Sequence, residues 1–310
     1  MAVAVTQPAA TSTRQKRRRP VSGFEKFVAW FWIGPAVVFV GVLLLYPLLY
    51  TIYISFFNFD SSQYVGLKNF STIFTNHYYQ GVLRNNLLWL VLATAGTVLL
   101  GLIIAVLVDR VRFESFAKAT IFIPMAISMV ATGVIWRFVY AYAAPGDPQF
   151  GLLNAIVTKL GGQPQAWIQN FNGSSNYMLI IAYVWMWTGF SMVILSAALK
   201  SIPTEILEAA RVDGASPLAI FFRITVPMIS PTIIVVTTTM LINVLKIFDI
   251  VYVMTGGNYN TDVIGMEYYT QEYTNSDFGL ASAFAVILLI AVIPVMLFNI
   301  RRFRAQEGHR

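Results

Sequence analysis

Apolar residues run through this chain in six long blocks, near 28–50, 87–108, 119–142, 177–199, 232–254 and 280–300. Each block approaches the roughly 20 residues that an α-helix needs to cross a bilayer. Within a block the apolar positions surround the helix on all sides, and the period-two alternation of barrel strands is absent. Helices satisfy their own backbone hydrogen bonds in lipid, so the pattern predicts six transmembrane helices. The first block is too long for the core of a secretory signal and lacks a small-residue cleavage site, so it reads as a true span. The fold class expected is therefore an all-α polytopic membrane protein. Its spanning domain covers 28–304, with a basic tail at 1–27 and a short tail at 305–310.

Composition supports this reading: hydrophobic residues make up 57% of the chain and charged residues only 11%, about half the charge of a typical soluble domain. The aromatic share of 15%, with seven Trp, suits residues that settle at membrane interfaces. The absence of cysteine excludes disulfides, thiolate metal sites and a cysteine nucleophile. The lone His77 between the first two spans has no His, Asp or Glu at ligand spacing, so no metal site is expected.

The net charge of +7 is placed unevenly. The N-terminal tail carries Arg14, Lys16, Arg17, Arg18, Arg19 and Lys26, and the C-terminal tail carries Arg301, Arg302, Arg304 and Arg310. Arg110, Arg112 and Lys118 follow span 2, and Lys200, Arg211 and Arg223 follow span 4. With six spans these regions share one side and hold 16 of the 21 Lys and Arg. The positive-inside rule puts that side, and both termini, in the cytoplasm. The basic run before span 1 is a topology anchor for anionic lipid headgroups, and no nucleic-acid partner is expected. The opposite loops, 51–86, 143–176 and 256–279, are polar and aromatic, and Asp262, Glu267, Glu272 and Asp277 make the last one acidic. Docking of an external partner and plain solvation both fit them.

The segment 200–231 between spans 4 and 5 is the most informative. Thr204 reads as an N-cap, and Glu205 and Glu208 favour the positive end of a helix that runs to about Val212. Gly214 is placed to end that helix in a left-handed conformation. Ser216 and Pro217 then start a second short helix, and Pro227 and Pro231 punctuate the return into span 5. Ile206, Leu207 and Ala210 form one apolar strip. Such a strip suits either a groove in another protein or the headgroup layer.

The sequence Glu208-Ala209-Ala210, with Gly214 after three residues and Ile224-x-Val226-Pro227 after nine more, resembles the EAA loop of permease subunits of binding-protein-dependent ATP-binding-cassette importers. The family usually ends this motif Ile-x-Leu-Pro, and Val226 departs from it. Asp213-Gly214-Ala215-Ser216, Trp185-Met-Trp-Thr-Gly-Phe, Gly151-Leu-Leu-Asn154 and Phe248-Asp-Ile-Val-Tyr-Val-Met-Thr-Gly-Gly257 extend the likeness over nearly all of 28–304. It is similar above all to the maltose and glycerol-phosphate permeases, and the tail Arg301-Arg302-Phe303-Arg304, without a Gly-rich ending, suggests the maltose-F-like half of a heterodimer.

The resemblance implies a type I importer fold in the cell inner membrane. It implies as partners a second permease, two ATPase subunits that carry ATP and Mg, and an extracytoplasmic binding protein that delivers sugar. This chain holds no Walker-type phosphate loop, so it is expected to be a transport subunit with no catalytic residue and no cofactor of its own. Coupling to the ATPase would fall to Glu205, Leu207, Glu208, Ala209, Ala210, Asp213, Gly214, Ala215 and Pro217.

Polar residues inside spans are costly and often functional. Asn243, Lys246 and Asp249 in span 5 read as a slanted stripe facing the bundle interior, with mutual neutralisation of Lys246 and Asp249 as the bland alternative. Trp185, Thr188, Gly189 and Ser191 of span 4 supply a second candidate wall. An indole can stack on a pyranose, and Gly189 would permit close approach. Arg137 and Tyr140, near the end of span 3, reach either substrate or lipid headgroups. A glycerol-phosphate importer and a secondary transporter are the rival readings; the latter would want inverted repeats, and none is evident.

Overall fold

A computed structural model describes residues 23–109 and 111–307. The tail 1–22, Arg110 and Arg310 lie outside the described residues, as do the topology charges they carry. The chain divides into two units at Tyr50. The first described helix, α1 (Gly23–Val40), passes through a π-turn (Gly41–Leu45) into α2 (Tyr46–Ile54). The second unit begins within α2, at Thr51. Its elements are α3 (Lys68–Thr75), α4 (His77–Val108), α5 (Glu114–Phe122), α6 (Met129–Val139), α7 (Leu152–Lys159), α8 (Ser174–Lys200), α9 (Thr204–Val212), α10 (Pro217–Ile220), α11 (Val226–Leu245), α12 (Asp249–Met254), α13 (Ile264–Tyr269) and α14 (Phe278–Glu307).

Among the described residues five helices are long and apolar enough to cross a membrane, and there are six spans if one bent pair of helices crosses as a unit. That pair is the expected span 119–142, which is not one helix. Its two parts, Glu114–Ala126 and Met129–Val139, meet at 101°. Pro124 lies in the 3₁₀ turn that ends the first part, and Ile127 and Ser128 are extended. The Ser128 hydroxyl then accepts a hydrogen bond from the Ala131 N–H and starts a new helix.

The expected span 232–254 is also interrupted. Its helix starts earlier, running from Pro217 through a π-turn (Phe221–Thr225) to Leu245, so Ser216 and Pro217 open a long helix and not a short one. It then stops at Lys246, and α12 starts afresh at Asp249. Helix α13 lies directly on this break: a Cβ on Gly265 would stand 2.8 Å from the Ile247 carbonyl oxygen. At the C-terminus α14 continues to Glu307, so 305–307 extends a helix where a separate tail was expected.

The centre of the second unit is the α4–α8 pair. Small residues bring their backbones together: a Cβ on Gly101 would stand 2.5 Å from the Ser191 Cβ. Trp89 and Tyr183 meet edge to face at 5.8 Å, and Trp89 Nε1 donates to Asn176 Oδ1. Two buried clusters follow the pair, one with α12 and the end of α11 and one with the middle of α11 packed on it; a third joins the start of α4 to α3, α13 and α14.

Candidate functional site

Helix α9 ends as its sequence dictates. Gly214 adopts φ +80°, its N–H bonds the Arg211 carbonyl, and the Ala215 N–H reaches back to the Ala210 carbonyl, both at 3.0 Å. These two bonds form a Schellman motif. The Ser216 hydroxyl then accepts from the Ala219 N–H, and Pro217 takes the first helical position. One expectation fails: Pro203 occupies the N-cap of α9, and Thr204 is already helical and caps nothing. The fixed φ of Pro203 directs the chain into the helix instead.

The expected apolar strip divides between two faces. Ala210 is buried and Leu207 half-buried, because both turn toward the bundle, whereas Ile206 is exposed. Leu207 and Ala215 line a cavity of about 490 Å³ between the loop and the bundle, with Leu199, Ile202 and Ile220. The outward face carries Glu205, Glu208, Ala209, Asp213, Gly214 and Pro217, all exposed. Beside them Val212 is 88% exposed and Leu218 70%. Val212 stands one turn beyond Glu208 and directly before Asp213, so the outward face of α9 mixes open apolar and acidic groups.

A charge cluster that sequence reasoning missed anchors the loop. Lys118 Nζ lies 2.9 Å from Asp109 and 2.5 Å from Glu114, and also bonds Ser196. Lys200, at the last turn of α8, bonds Glu114 and stands 3.9 Å from Asp109. The cluster joins the end of α4, the start of α5 and the residue from which the 200–231 loop departs. Glu114 and Lys118 stand four apart, the spacing of a helical ion pair. That signal was legible, although the chain reads there as a basic loop.

The candidate substrate residues do not form one wall. Asn243 is half-buried, and its amide donates to the Thr239 carbonyl of its own helix. Lys246 is exposed beyond the helix end, and Asp249 opens the next helix, so the expected slanted stripe is broken between them. Nor do Lys246 and Asp249 neutralise each other: the ion pairs among the described residues all belong to the Asp109–Lys118 cluster.

In α8, Gly189 faces the backbone of α5, and a Cβ there would stand 2.7 Å from the Phe122 Cα. Gly189 is therefore a packing residue and leaves no room for a ligand. Ser191 is fully buried against Gly101, and the Thr188 hydroxyl bonds the Val184 carbonyl one turn earlier. Trp185 alone of the four is substantially open, at 39%, with its ring edge-on to Trp136 at 5.7 Å. Trp185 and Thr188 line an apolar cavity of about 710 Å³.

At the end opposite the 200–231 loop, two acids of the segment 256–279 are turned inward. Asp262 and Glu267 are buried. The Tyr78 hydroxyl donates to Asp262 at 2.5 Å and lies 3.2 Å from Glu267, and Gln271 Nε2 donates to Glu267. Burial, and next the hydrogen bond shared with Glu267, holds the Asp262 carboxyl well above the usual carboxylate range. Asp277 caps α14 through the Leu280 N–H. Of the four acids for which docking to an external partner and plain solvation both fitted, Asp262 and Glu267 are instead spent on internal packing.

Residues 97–304 match the family model described as binding-protein-dependent transport system inner membrane component. The chain is 54% identical over 279 residues to the osmoprotective compounds uptake permease protein GgtC of Synechocystis, a match covering 90% of this chain and 100% of the relative. It is 44% identical over 280 residues to the alpha-glucoside transport system permease protein AglF of Rhizobium meliloti, covering 90% and 83%. Its fold matches a chain of a bacterial ABC transporter involved in the import of the acidic polysaccharide alginate, with a TM-score of 0.76 at 20% identity, covering 91% and 96%.

Proposed function

Because this chain belongs to the family of binding-protein-dependent transport system inner membrane components, we propose that it is the permease subunit of an ATP-driven importer of short sugars, working by alternating access. A relative that takes up osmoprotective compounds and one that carries alpha-glucosides together point to small, hydroxyl-rich α-linked sugars. A non-reducing disaccharide such as trehalose belongs to both chemical classes and is the first substrate to test.

The observation that carries the reading is the 200–231 loop. A short helix, stopped by Gly214 at φ +80°, presents Glu205, Glu208, Ala209 and Asp213 outward. Its root at Lys200 is tied to α4 and α5 by charge. A rigid element with one face on the bundle and one face open transmits displacement in the way a lever does. In this reading α9 sits in a groove of a separate ATPase subunit, and ATP and Mg bind there. The loop and both termini face the cytoplasm, in line with the basic bias of that side. A second permease completes the pore, and a binding protein docks at the other end.

Cross-linking tests this directly. The chain has no cysteine, so a single cysteine at Ala209 is the only thiol the permease contributes. It is expected to cross-link to the ATPase subunit in membranes, and the yield is expected to change when ATP is added. A complex that takes up trehalose with ATP but never yields that adduct, from Ala209 or from Val212, would remove the coupling role.

A further inference from the structure

Resting on that reading, we infer that the cavity of about 850 Å³ at the end opposite the 200–231 loop is a carbohydrate subsite through which the sugar passes on its way to the broken helix at Lys246. Arg137 from the last turn of α6, Tyr142 and Gln169 from the connections that follow, and Tyr252 and Asn258 from α12 and its turn all line it. The Arg137 and Gln169 side chains make no hydrogen bond to another described residue, and Arg137 has no carboxylate among the described ion pairs. They are planar donors left free at the rim of a concavity, the usual composition of a pocket for a polar small molecule.

The aromatic surface supplies the other half of sugar recognition. Tyr252 is 46% exposed and belongs at once to the cavity and to a four-ring array. Phe248 and Tyr252 stack at 5.3 Å, Tyr269 lies 5.2 Å from Phe248 and 5.3 Å from Tyr252, and Tyr273 lies 5.0 Å from Tyr269. The array is a consequence of the helix break between Leu245 and Asp249. Phe248 and Tyr252 share one face of α12, four residues apart. Gly265 lets α13 rest on the Ile247 carbonyl, which sets Tyr269, one turn later, against Phe248. Tyr273 remains 67% exposed. Purely apolar contacts would be served by Phe or Leu, whereas three of these four rings carry hydroxyls. A pyranose offers C–H groups to a ring face and hydroxyls to its rim, and this surface answers both. Phe248 leads directly to Asp249 and Lys246 at the break.

The test uses the assembled complex in liposomes, loaded binding protein outside, ATP inside, and radiolabelled trehalose and maltose as probes. Tyr252→Ala and Arg137→Gln are each expected to raise the KM for uptake roughly tenfold, the scale of one lost stacking or charged hydrogen-bond contact. Tyr252→Phe, which keeps the ring face and loses only the rim hydroxyl, is expected to raise KM by about threefold, less than Tyr252→Ala, with loaded binding protein docking equally well to all three variants. Unchanged uptake in Tyr252→Ala and Arg137→Gln beside an active wild type overturns the subsite alone. So does a loss that tracks weakened docking of the binding protein, or a Tyr252→Phe variant as damaged as Tyr252→Ala. A wild-type complex that moves neither sugar overturns the transport reading itself.

Discussion

Gly189 of α8 lies so close to Phe122 of α5 that a Cβ on the glycine would stand 2.7 Å from the Phe122 Cα. The contact falls just before the 101° bend, so it fixes where the broken span leaves α8. A glycine that seemed available to a ligand is fully used in holding two backbones together.

Gly189→Ala is therefore expected to act on folding and not on affinity. Forcing a methyl into a filled contact costs about 1–3 kcal/mol. Size-exclusion profiles and thermal unfolding in detergent should show less, and less stable, protein, with an unaltered KM for sugar in the fraction that assembles. A raised KM at normal stability would return Gly189 to the substrate path.

Gly214→Ala places a side chain at φ +80°, where an L-residue loses about 1–2 kcal/mol. The Schellman bonds to Ala210 and Arg211 loosen and α9 frays. Uptake should fall severalfold while membrane insertion, read by protease protection, stays normal. Glu208→Lys should abolish uptake with the fold intact, since Glu208 is exposed and makes no contact that the fold needs.

Lys118 neutralises two carboxylates at once. Lys118→Met leaves Asp109 and Glu114 facing each other with Lys200 as their remaining cation. A lower unfolding temperature is expected, with partial recovery in Lys118→Arg. A charge-reversed Glu114→Lys should be worse than Lys118→Met, because three cations then share Asp109.

Asp262 introduces a pH dependence. Its folded carboxyl, buried beside Glu267, holds its proton to higher pH than it would in the unfolded chain. The folded state therefore binds the extra proton, and this contribution is complete below the ordinary carboxylate range. It is lost as pH rises from there through the elevated folded value. Unfolding temperature should fall as pH climbs from about 5 to about 9. Asp262→Asn, which can still accept from the Val263 N–H, should flatten that slope. An equal slope in both proteins would assign it to other groups.

The sequence by itself determined the helical class, the order of the six apolar blocks and the stop at Gly214, because hydropathy over a span and a left-handed glycine are local properties. The bend in the third span was missed, because hydropathy over 119–142 reads as one continuous block, although Pro124 and the cap residue Ser128 mark it locally. The break after Leu245 had no such mark: no proline or glycine stands between Asn243 and Asp249, and the helix gives way where α13 packs on Ile247. Tertiary structure alone decided that Gly189 and Ser191 are packing residues, that Asp262 and Glu267 point inward, and that Phe248, Tyr252, Tyr269 and Tyr273 meet in one array. Which face a side chain shows depends on the element that packs against its helix, and those partners lie far away along the chain.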